Sequence, residues 1–142
     1  MGRERRAVLI ADRGLRIAEC GFKRMTQDEL KRRTKEFALK VLRLVESFPN
    51  TYLGRHVGGQ LTRSSTSVPA NYRAACRAKS TADFIAKMGT VEEEADESAF
   101  WIEFAVDGKL TDPEKVVDLL DEANQLTAIF VASINTARGR KR

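Results

Sequence analysis

Four segments of this chain return apolar residues to one helical face at steps of three, four or seven, a spacing that dictates helices burying one stripe each. The cleanest stripe is Phe84, Met88, Val91, Ala95, Ser98, Ile102 and Ala105. A second is Val116, Leu119, Ala123, Leu126, Phe130, Ile134 and Ala137, and an earlier one joins Leu30, Phe37, Val41, Leu44 and Phe48. Leu53, Val57, Leu61, Val68 and Ala75 make the remaining face. No stretch shows the period-two alternation of a half-buried strand. Four amphipathic helices on connections too short to cross a bundle predict an all-α, antiparallel up-and-down four-helix bundle.

Local signals place the ends. Thr26 and Glu29 have capping-box spacing, so the first helix is expected over 27–48, closed by Phe48-Pro49. The second is expected over 55–78. The third opens at Ser80 with Asp83 as capping partner and ends at Asp107 before Gly108 as its C-terminal glycine. The fourth opens at Thr111-Asp112-Pro113-Glu114, with proline in the first turn and Glu114 as a capping glutamate. The bundle thus covers 25–138, and 139–142 form a basic tail. Residues 1–24 read as an N-terminal extension, with seven Lys/Arg against three Asp/Glu and no sustained periodicity; Met25 is an alternative natural start.

The stretch QLTRSSTSVPANYRAACRAKS, residues 60–80, carries a proline in mid-helix and no acid. Pro69 removes a backbone donor, so a kink in the second helix is expected, with the hydroxyls of Ser64 to Ser67 placed to satisfy the freed carbonyl of residue 65. On a helical wheel Arg55, Arg63, Arg73 and Arg77 fall along one edge, away from the aliphatic face. Residues 50–82 hold five Lys/Arg (these four and Lys79) and no Asp/Glu, whereas 83–107 hold eight acids against Lys87 alone. Pairing between neighbouring helices or subunits is the first explanation of that contrast; an arginine edge left open for phosphate is the sharper alternative, and both hold if only some arginines pair. The formal charge of +5 permits an anionic partner without requiring one.

Gln60-x-x-Arg63, the Ser67-Val68-Pro69-Ala70-Asn71 core and the acidic third helix resemble the family of four-helix bundle proteins encoded in intervening sequences of bacterial 23S rRNA genes. Many members continue the proline segment with Ile-Ala-Glu-Gly, where this chain has Tyr72-Arg73-Ala74-Ala75. The resemblance implies a bundle that often assembles as a homopentamer. It is similar to the accessory protein of diversity-generating retroelements, which implies nucleic acid or a nucleic-acid enzyme as partner.

The sequence offers no chemistry. His56 is the sole histidine, has no Glu three residues before it, and reads as a surface or cap residue, so a di-iron pattern is absent. Glu92, Glu93, Glu94 and Glu97 read as a solvated face, Gly58-Gly59 lacks the lysine of a phosphate loop, and Ser64 to Ser67 lack a supported base. We expect no enzyme, no cofactor and no metal. Cys20 and Cys76 are isolated thiols and no apolar run reaches membrane-spanning length, which together point to a cytoplasmic protein. Phe100, Trp101 and Phe104 fall outside the core stripe of the third helix, so they are expected to form a contact between copies.

Overall fold

The computed structural model describes residues 25–139. The expected extension 1–24, with Cys20, and residues 140–142 of the tail lie outside them. Four helices follow one another: α1 Gln27–Glu46, α2 Tyr52–Cys76, α3 Thr81–Asp107 and α4 Pro113–Ala137. Each packs on its chain neighbours and α4 returns to α1, closing an all-α bundle in ring order. All seven stripe positions of α3 are buried, as are Leu30, Phe37, Val41 and Leu44 of α1 and Val57, Leu61, Val68 and Ala75 of α2. On α4 the stripe buries Val116, Ala123, Leu126, Phe130 and Ile134, with Leu119 and Ala137 half-buried. Leu53 departs from the expectation: it lies in the first turn of α2, past the end of the core, and is exposed.

The helix ends differ from expectation in ways that have local causes. The box at the start of α1 forms in both directions, Thr26 Oγ1 accepting from Glu29 N–H and the Glu29 carboxylate accepting from Thr26 N–H. α2 begins three residues earlier than expected because Thr51 caps it, its hydroxyl accepting from Gly54 N–H at 3.1 Å. Gly54 permits that turn: a Cβ there would sit 2.1 Å from the Pro49 carbonyl oxygen. Ser80 caps α3, but the Asp83 carboxylate accepts from Lys79 N–H, one residue before the position a box requires. Gly108 is not left-handed; Lys109 takes that conformation at φ 63°. Asp112 and Glu114 make no side-chain cap on α4, where Pro113 alone marks the first turn.

α2 runs unbroken through Pro69. The hydroxyl cluster does not reach the carbonyl of Ser65. Each hydroxyl turns back one helical turn instead: Ser64 to Leu61, Ser65 and Thr66 to Thr62, and Ser67 to Arg63. A short side chain on a helix reaches carbonyls three or four residues behind it, and carbonyl 65 lies behind only residues 68 and 69. Ser64 also accepts from Ser98 of α3 at 3.1 Å in the buried seam, where small hydroxyls allow α2 and α3 to approach.

Tyr72 and Phe130 stack across the core with ring centroids 6.2 Å apart. Burial pushes the Tyr72 phenol well above its ordinary range and raises the Cys76 thiol beside it, so neither group is ionised near neutral pH. No helix among the described residues is long and apolar enough to cross a membrane.

Candidate nucleic-acid interface

Charge in the bundle is divided by helix. Residues 25–79, holding α1 and α2, carry eleven Lys/Arg against four Asp/Glu, a formal +7. Residues 80–139, holding α3 and α4, carry four Lys/Arg against thirteen Asp/Glu, a formal −9. The described bundle is therefore −2, and the chain's +5 comes from outside it. Because the helices are ordered around a ring, the division makes one basic side and one acidic side rather than alternating strips.

The predicted arginine edge lies outside the core but is not uniform. Arg63 is committed to α3: its guanidinium donates to Glu94 at 3.2 Å and to Glu97. Glu97 also accepts from Trp101 Nε1–H at 3.1 Å. The Arg63 hydrogen bond holds the Glu97 carboxyl below its usual range, and the same bond raises the Arg63 pKa. Two carboxylates over one guanidinium leave no net positive field there for a phosphate. Among the described residues the Arg55 side chain donates to Asn50 Oδ1, at 3.1 Å, and to no carboxylate, while Arg73 and Arg77 are exposed and make no side-chain ion pair. Lys79 is exposed beside Asp83, whose carboxyl is held low chiefly by its hydrogen bond to Lys87. Of the four arginines on the predicted edge, three are open and one is already satisfied.

A basic stripe on α1 escaped the sequence reading. Arg32, Lys35 and Arg43 are exposed on the outer face of that helix. Their spacing was legible, but Asp28, Glu29, Glu36 and Glu46 in the same helix mask it in a segment-wise count. The structure separates them by role, since Asp28 and Glu29 belong to the capped first turn.

Between α1 and α2 lies an open cleft of about 520 Å³, bordered by Phe48, Pro49, Arg55, Gly58, Gly59 and Arg63. At the α2–α3 seam the three aromatics gather as one patch. Phe100 is 51% exposed and Phe104 41%, whereas Trp101 is half-buried against Val57, Ala105 and Leu110. Ring centroids of Phe100 and Trp101 are 4.9 Å apart, and of Trp101 and Phe104 5.6 Å. His56, exposed, lies between Tyr52 and Trp101. Among the described residues no group of three or more His, Cys, Asp or Glu could hold a metal ion.

No curated protein matches the chain. A crystal structure of a protein of unknown function from the S23 ribosomal protein family of Bacteroides thetaiotaomicron superposes with a TM-score of 0.71 at 27% identity, covering 77% of this chain and 97% of its own. With the bundle, the capped start at Thr26 and the proline-bearing α2 in place, residues 26–132 match the sequence profile of 23S rRNA-intervening sequence proteins, and the chain belongs to that family.

Proposed function

We propose that the protein is a non-enzymatic binding module that assembles with copies of itself and holds nucleic acid along the outer edge of α2. The observation that carries this reading is the division of charge, which leaves Arg55, Arg73 and Arg77 exposed on the basic side and without carboxylate partners. Phosphate binding needs positive charge that is not already compensated, and the acidic α3–α4 side lies away from a backbone docked along the outer edge of α2. Arg63 and the acids around it serve the fold and the subunit surface instead. The aromatic patch anchors assembly, since a single chain leaves it partly in water.

Replacing Arg55, Arg73 and Arg77 together with glutamine is expected to weaken binding to generic duplex DNA or RNA tenfold or more at low salt. The slope of log K against log salt should shrink by about one for each phosphate that is no longer neutralised. Arg63→Gln alone should change the slope little. An unchanged slope in a folded triple variant would overturn the nucleic-acid reading.

A second reading has support in the bundle's own charge of −2. In it the protein is a scaffolding oligomer that holds a protein partner, and both charged sides serve assembly. Multimers that bind no nucleic acid would favour it.

A further inference from the structure

Two outer surfaces of the chain, on different sides of the bundle, fit one another. On α1, Leu39 faces away from the core and is 43% exposed. Arg32 lies seven residues before it, Lys35 four before and Arg43 four after, so all share the outward stripe. Glu36 and Lys40 turn aside toward α4. The second surface is a cleft of about 390 Å³ between α3 and α4, lined by Val106, Val117 and Leu120 together with Glu103, Asp107 and Asp121. Val117 there is 60% exposed.

Each surface alone is unfavourable. A branched aliphatic stands in water among charges that are mainly basic at the knob, where Glu36 and Glu46 are also exposed, and acidic at the cleft. Neither has a use within one chain.

We infer that the α3–α4 cleft is the seat for α1 of a second copy, with Leu39 entering the cleft and Arg32, Lys35 and Arg43 meeting Glu103, Asp107 and Asp121. Polarity, charge sign and length agree. Arg32 to Arg43 and Pro113 to Asn124 each span eleven helical steps, about 16 Å. An amphipathic helix laid in an apolar groove with a charged rim is a recurrent mode of recognition. Knob and cleft lie on different faces, so the contact is head-to-tail and each copy offers both halves. On α3, Glu103 and Asp107 fall between Val106 and the Phe100–Phe104 pair, so cleft and aromatic patch form one continuous acceptor surface. The inference rests on the self-assembly reading and names its partner surfaces.

The test uses two full-length variants in light scattering or sedimentation. Leu39→Asp removes the knob and leaves the cleft; Val117→Asp spoils the cleft and leaves the knob. Both side chains are exposed, so both variants should keep wild-type helicity. Each alone is expected to be a monomer at concentrations where the wild type is a multimer. Mixed, they should form a 1:1 dimer and nothing larger, because only one intact knob can meet one intact cleft. Variants that assemble like the wild type, or a mixture that yields no dimer, would overturn the inference while leaving assembly by another surface standing. A wild-type monomer at tens of micromolar would remove both.

Discussion

Phe130→Ala is expected to lower the unfolding free energy by about 3–5 kcal/mol, among the largest single-site losses in the bundle. Phe130 is fully buried in the C-terminal half of α4, and its ring stacks on Tyr72 from α2. Truncation removes the transfer contribution of the ring and leaves a cavity that the facing tyrosine cannot fill, since its own ring is held by the surrounding core. For a bundle of this size the thermal midpoint should fall by roughly 10–15 °C. Phe100→Ala is the matched control, as the same deletion at a half-exposed site should cost a small fraction of that. The midpoints are to be compared at one protein concentration, because self-association would itself raise the wild-type value. Equal shifts for the two variants would mean that the core does not lie on the α2–α4 diagonal.

Changing Phe100 and Phe104 together to aspartate should have the opposite profile. Stability of the single chain should move little, because both rings are already substantially in water. Association should weaken by 100-fold or more, roughly 2.7 kcal/mol, as two aromatic anchors are removed and two carboxylates enter a surface already rich in acids. The added charge matters because Glu97, Glu103 and Asp107 are close by, so the variant loses attraction and gains repulsion together. Sedimentation should find folded, smaller species. A multimer of wild-type size would show that the patch faces solvent in the assembly.

What the sequence made legible follows from which signals are local. The stripe of α3 marked seven buried positions and that of α4 five, with Leu119 and Ala137 half-buried and Ala99, Ile129 and Ser133 buried outside the stripes, because burial follows the helical period while the core is wider than one stripe. Capping at Thr26 and Ser80 was also legible, since cap and partner lie three residues apart in the chain. The first turn of α2 was missed because Thr51 follows Pro49-Asn50 and precedes a bulky Tyr52-Leu53 pair, which hides a cap behind a loop-like composition. The role of Arg63 was not legible for a different reason. Its partners stand 31 and 34 residues away, and only the register of α2 against α3 brings Glu94 and Glu97 to it. Arg73 and Arg77, on the same helix edge, meet no such carboxylates, so one wheel position carries two physical meanings. The division into a basic and an acidic side likewise needed the ring order of the helices, which no single segment states.

The expectation is that the folded bundle itself, and not the basic ends of the chain, holds nucleic acid along the outer edge of α2. Its most direct test is a salt titration of duplex binding by a chain restricted to residues 25–139, whose formal charge is −2. Three open arginines acting on phosphate predict measurable binding at low salt and a slope of log K against log salt of about −2 to −3. Loss of all binding once the ends are removed, or binding that does not respond to salt, would contradict the account.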